Sequence, residues 1–150
     1  MQRLVLAVAT VAALATALPA AAQFQKPDDA VKYRKAGFTL MAAHFGRLGA
    51  MAQGRVPFDA ASATANAEIV ASLSKLPFAG FVEGTSGTEK GQPKPNVWSD
   101  RAKFDEGAKK MQEEVAKLAA AAKAGPDAFK AAFGAAAGTC KNCHDNYRVQ

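Results

Sequence analysis

Five consecutive residues, Cys140-Lys141-Asn142-Cys143-His144, carry the chemistry that is legible in this chain. Cys-x-x-Cys-His is the attachment signature of c-type haem. On a helix, residues three and four apart are neighbours on one face. The two thiols can therefore bond the two vinyl groups of one porphyrin. His144, four residues after Cys140, lies on the same face, where a ring nitrogen reaches the iron. Other uses of these residues fit less well. A Cys140–Cys143 disulfide closes a tiny loop and stabilises little. A thioredoxin-like redox pair expects a strand–helix context. A zinc site needs more thiols or imidazoles, and His44 is the only other histidine. The expected cofactor is one covalently attached haem c, anchored by Cys140 and Cys143, with His144 as axial iron ligand.

The elements that must position the motif read as helices, without useful strand-like alternation. The last helix is expected from about Asp127, its cap, to Val149. Along it Phe129, Phe133, Ala136, Cys140, Cys143, His144 and Tyr147 recur at steps of mainly three and four. The motif is thus in phase with the core-facing stripe, and a haem held there slides into the interior. A first helix is expected from Pro27 to Gln53, with Asp28 and Asp29 at the positive end of its dipole. Val31, Phe38, Met41, Phe45 and Leu48 supply its stripe, and Gly54 and Pro57 break the chain. The second starts at Asp59 as N-cap, carries Ile69, Val70, Leu73 and Leu76, and ends at Pro77. The third starts near Ser99 as N-cap, with Asp100 behind it. Phe104, Met111, Val115 and Leu118 face one way, opposite a charged, solvated face. Val82 to Val97 is a long loop rich in Gly, Pro, Thr, Ser and Lys. Four helices joined by mostly short links predict an all-α, antiparallel up-down-up-down four-helix bundle enclosing the haem.

The composition narrows the rest. The chain has 150 residues, enough for one domain. Its 49% hydrophobic and 21% charged content excludes disorder as the main state. Two cysteines exclude a disulfide-stapled miniprotein and a four-cysteine zinc site. Residues 1–22 read as a cleaved secretory signal: Arg3, then an apolar run from Leu4 to Leu18, then Ala20-Ala21-Ala22. That run is short beside the roughly 20 residues of a membrane span. The remaining 23–150 form the domain, exported to a bacterial periplasm with no membrane contact after cleavage. The formal charge of +6 falls to +5 with loss of Arg3, and to about +3 with two ionised propionates. A nucleic-acid role rests on charge alone, and export removes it. There is no serine–histidine–acid set and no phosphate-cradling glycine loop.

Together these residues resemble the cytochrome c′ family, the class II c-type cytochromes. Class I cytochromes c carry the motif near the N-terminus, with a methionine ligand far downstream. Here six residues follow His144 and none is methionine. Other stretches share the likeness. Lys26-Pro27-x-Asp29-Ala30-Val31-Lys32-Tyr33-Arg34 looks like the family's first-helix start, and Leu40-Met41-Ala42-x-His44-Phe45-Gly46-Arg47 continues it. Leu76-Pro77-x-Ala79-x-Phe81 looks like the second-helix end, and Trp98-Ser99-Asp100 opens the third.

The resemblance implies a five-coordinate iron, its distal side covered by an apolar side chain at the Phe38 position. Close relatives commonly have leucine there. Phenylalanine neither ligates iron nor donates a hydrogen bond, so a dry distal side favours NO and CO over oxygen. The competing ligand is Met41, as in six-coordinate cytochromes of the c-556 type. It sits roughly 60° around the helix from Phe38 and one turn on. His44, roughly 120° away, is an edge residue. Arg34 and Lys35 suit the haem propionates. Arg148 matches an arginine beside the proximal histidine, or simply complements the helix dipole. Phe78 and Phe81 would pack on the macrocycle, and Gln92 would touch its edge. The implied functions are reversible NO and CO binding and electron transfer with unidentified redox partners, rather than enzymatic turnover. Relatives are usually homodimers packed through the first helix, where Ala42, Gly46, Gly49 and Ala50 allow close approach.

Overall fold

The computed structural model describes residues 23–150. The expected signal segment, 1–22, lies outside the described residues. Helix α1 spans Pro27–Ala52, with Pro27 in the first turn beside Asp28 and Asp29. A proline N–H would be unpaired there in any case, and the carboxylates meet the positive helix end. Gly54, at φ +70°, turns the chain after it. Helix α2 spans Ala60–Leu73, and its N-cap Asp59 accepts the Ser62 N–H at 2.7 Å. It stops four residues short of Pro77, which has no N–H to offer the Leu73 carbonyl. Pro77 instead opens a 3-10 turn, Pro77–Gly80.

Three sequence expectations shift here. Ile69 and Leu76 are exposed, at 40% and 46%. The buried face of α2 is Ala63, Ala67 and Val70, small residues that bring the helix close to its neighbours. Ser99 does not cap the third long helix. It ends a short helix, α3 (Asn96–Ser99), which also takes the last two residues of the expected loop. Asp100 stands at the N-cap of α4 (Arg101–Ala124). Asp127 is not a cap either: Gly125, at φ +119°, precedes Pro126 at the first position of α5 (Pro126–Tyr147), and Asp127 lies inside the first turn.

The four long helices α1, α2, α4 and α5 pack in sequence order, and α5 returns to α1 to close the bundle. The short α1–α2 and α4–α5 connections make those pairs antiparallel, whereas α2 reaches α4 through the long stretch 74–100. The core holds Leu48, Val70, Met111, Val115, Leu118 and Phe129 at its centre. Phe104, Met111, Val115 and Leu118 are all buried, as their spacing on α4 requires. At one end Phe45, Phe133, Phe129 and Phe58 pack in series. The other end carries the motif.

Gly49 and Gly80 are among the glycines that set close approaches. A Cβ on Gly49 would lie 3.1 Å from the Phe133 ring, so this residue serves α1–α5 packing inside the bundle. It is therefore not on the outer surface expected to meet a second copy, whereas Ala42 and Gly46 are exposed. A Cβ on Gly80 would lie 2.6 Å from the Ala30 carbonyl oxygen and 2.8 Å from the Arg34 Cβ. Only glycine lets the 3-10 turn sit so close to α1. Gly80→Ala should therefore lower stability by about 1–3 kcal/mol. Gly134→Ala, on α5 with open space around it, should raise it by about 0.5–1 kcal/mol. Urea unfolding followed by circular dichroism should place the two variants on opposite sides of the parent.

Candidate functional site

Cys140, Cys143 and His144 sit in the last two turns of α5. Both cysteines are free thiols and half-buried. Cys140 packs against the buried core, as do Phe38 and Phe78. Burial first, and the neighbouring Cys140 second, push the Cys143 thiol up to about 11. Burial also raises Cys140, opposed by the Thr139 hydroxyl. Both sulfurs are thus neutral near pH 7. His144 stands at the exposed edge of the same face. Its partial burial, and then the Arg148 guanidinium, lower its pKa, while Asp145 acts the other way. The balance favours neutral imidazole, the form that ligates a metal. Lys141 and Asp145 pair with each other on the outer side of the helix.

A connected group of rings borders this end of α5. Phe38 of α1 meets Phe78 and Phe81 edge-on, with centroids 5.8 and 6.1 Å apart. Phe81 lies 4.9 Å from Phe104 of α4. Phe104 lies 5.3 Å from Tyr147, three residues beyond His144. The rings therefore run from the first helix to the last. Met41 is buried in the core one turn beyond Phe38, and Lys35 is exposed. His44 is an edge residue that faces α2: its Nδ1 lies 2.8 Å from the Asn66 Oδ1. Asn66 gives its amide hydrogens to the Ser62 carbonyl, so Oδ1 is the acceptor and His44 the donor.

Arg34 is 5% exposed. It donates to the Gly80 carbonyl at 3.0 Å, to the Thr85 hydroxyl at 2.6 Å and to the Thr85 carbonyl at 2.8 Å. Its guanidinium lies 5.0 Å from the Phe81 ring centroid. Among the described residues no carboxylate pairs with this buried cation. The Gln92 side chain turns back into its own loop, where it accepts the Glu89 N–H at 3.1 Å. Arg148 lies on that loop too, 3.3 Å from the point where a Cβ on Gly91 would stand.

The structure thus brings Cys140, Cys143 and His144 together on one face. It gathers Phe38, Phe78 and Phe81 beside Phe104 and Tyr147 at the same end of the bundle. Gln92 lies in the loop, and Arg148 faces that loop at Gly91 and Pro93. Thr85, Gly80 and Lys94 were missed by sequence reasoning, because a residue in a tight turn or an aperiodic loop carries no signal of a distant partner. Tyr147 had one: it is in phase with the motif.

A family model for cytochrome c′ matches residues 29–148. The chain belongs to the cytochrome c′ family. It is 51% identical to cytochrome c′ of Rubrivivax gelatinosus over 127 residues, which is 84% of this chain and 98% of that one. It is 49% identical to cytochrome c′ of Alcaligenes xylosoxydans xylosoxydans over 127 residues, again 84% and 98%. Among solved structures, R. gelatinosus cytochrome c′ superposes with a TM-score of 0.77 at 50% identity, covering 84% of this chain and 99% of that one. The nitric oxide complex of a leucine-to-alanine variant of the Alcaligenes xylosoxidans protein gives 0.78 at 47% identity, covering 85% and 99%.

Membership implies a haem c with iron, and this chain's residues fit one. Its donor set is two neutral thiols and one neutral imidazole on a single helical face. A flat apolar macrocycle suits the neighbouring rings. The unpaired charge of Arg34 suits an anionic propionate. Among the described residues no three His, Cys, Asp or Glu side chains gather to hold a metal alone. None of the described helices is long and apolar enough to cross a membrane.

Thr85 is the residue on which Arg34 most depends. Thr85→Val leaves the buried cation without its 2.6 Å acceptor and should cost about 1–3 kcal/mol. Thr85→Ser, which keeps the hydroxyl, should recover most of that loss in the urea midpoint.

Proposed function

We propose that the chain carries one covalently attached haem c and binds NO and CO at a five-coordinate iron. The observation that carries this reading is the placement of Cys140, Cys143 and His144 on one face of α5, beside the ring group that contains Phe38. Cys140 and Cys143 would hold the haem through thioether links to its two vinyl groups. His144 would ligate the iron, and its neutral imidazole would need to lose no proton for that role. The bound haem iron supplies a site for diatomic ligands and a one-electron redox couple.

Phe38 covers the distal side. It offers neither a ligand nor a hydrogen-bond donor, so oxygen gains nothing there, while NO and CO need no donor. Arg34 would hold a propionate in addition to its loop contacts, with exposed Lys35 as a second cation. Phe78 and Phe81 would pack against the macrocycle, and Gln92 would stay near its edge. Arg148 would stand beside the His144 that ligates the iron. Met41 remains a core side chain. The solved nitric oxide complex of the A. xylosoxidans relative supports the choice of ligand.

Residues 1–22 direct export and are removed, leaving 23–150 in the periplasm. Exposed Ala42 and Gly46 on α1, next to exposed Leu40, form part of a surface for a second copy. The protein also takes part in electron transfer with unidentified redox partner proteins and performs no enzymatic turnover.

The absorption spectrum of the reduced holoprotein tests the iron. A high-spin five-coordinate spectrum is expected, and a sharp low-spin alpha band would overturn the assignment in favour of Met41 ligation. Phe38→Ala should strengthen CO binding by about tenfold, the factor for ~1.4 kcal/mol of relieved crowding. Unchanged affinity in a CO titration would remove Phe38 as the gate.

A further inference from the structure

The last turn of α5 carries His144 and leads into Arg148, and it is held from outside the helix. A helix end leaves four carbonyls without partners within the helix. Here all four are taken. The His144 carbonyl accepts the Arg148 N–H at 3.1 Å and the Gln150 side-chain amide at 3.0 Å. The Asp145 carbonyl accepts the Lys94 ammonium at 3.0 Å. The Asn146 carbonyl accepts the Asn96 amide at 3.1 Å and the Lys94 ammonium at 3.4 Å. The Tyr147 carbonyl accepts the Lys94 N–H at 2.9 Å.

Residues 94–96 therefore serve three of the four carbonyls. The chain beyond is tied by the same loop: Val149 N–H donates to the Gln92 carbonyl at 2.8 Å, and Gly91 N–H to the Val149 carbonyl at 2.9 Å. Between these bonds Pro93 and Arg148 form an antiparallel bridge. The Asn96 amide shows that this contact takes precedence, because its oxygen is buried without a partner while its nitrogen reaches Asn146. The Lys94 ammonium also places a cation at the negative end of the helix dipole.

We propose that Lys94 is the positioning residue for the proximal side of the site, with Asn96 as its support. Its ammonium fixes the last turn of α5, and so the orientation of the His144 ring and the place of Arg148 beside it. This inference rests on the haem reading above. Lys94 touches neither iron nor ligand and acts through the helix end.

The test uses the holoprotein and two variants. Lys94→Met keeps the apolar stem and removes the charge and its hydrogen bonds. Lys94→Arg restores a cation with donors. Hydrogen exchange should report amides Arg148 and Val149 exchanging roughly tenfold faster in Lys94→Met, with near-parental rates in Lys94→Arg. Resonance Raman should show the iron–histidine stretching band shifted in Lys94→Met and restored in Lys94→Arg. Faster exchange with an unmoved band would make Lys94 a purely structural cap and overturn the proposal. Unchanged exchange would also overturn it, while leaving the haem reading intact. A parent chain without covalent haem in a pyridine haemochrome assay would overturn both.

Discussion

A buried guanidinium has few places to put its donors, and Arg34 shapes the end of the bundle beside the motif around that constraint. Its charge is out of water and meets no carboxylate among the described residues, so it needs oxygen acceptors close by. The Gly80 carbonyl and both Thr85 oxygens meet that need. To reach them, the turn after α2 must press on α1, and this contact admits only glycine at position 80. The turn in contact with α1 then carries Phe78 and Phe81 to Phe38 and Phe104. The rings next to the motif and the acceptors of one cation on α1 thus depend on the same turn.

The opposite face obeys a different rule. The end of α5 needs partners for backbone carbonyls, and the stretch 91–96 provides them in part through its own backbone. Donors from the main chain do not depend on residue type, so this half of the arrangement leaves little trace in composition. It is built from Gly91, Pro93 and two hydrogen bonds to Val149, with Lys94 and Asn96 adding side-chain donors.

Much of the fold was legible because helix periodicity and helix punctuation are local. Phe104, Met111, Val115 and Leu118 declared the inner face of α4 by spacing alone. Asp59 declared a cap by its type. Expectations slipped where local rules compete. Ser99 and Asp100 are both good caps, and the intervening short helix α3 decided between them. Gly125-Pro126 took the start of α5 from Asp127. On α2, Ile69 looked like core by hydrophobicity, yet the alanines fit the neighbouring helices. The site divides the same way. Cys140, Cys143 and His144 are contiguous, so their spacing spells their chemistry. Thr85, Gly80 and Lys94 act through partners about fifty residues distant, and no pattern within a loop encodes such a partner.

That separation bears on how the molecule assembles. Thr85 lies 51 residues from Arg34, and Lys94 lies 51 residues from Asp145. Between those anchors the chain turns at Gly91, at φ +86°, but has no helix of its own. Both anchorages close long stretches of chain and gain little until α1 and α5 are already packed. The order of the segment is therefore conditional on the packing of the helices that flank it, and weakening that packing is expected to loosen the segment beside the motif.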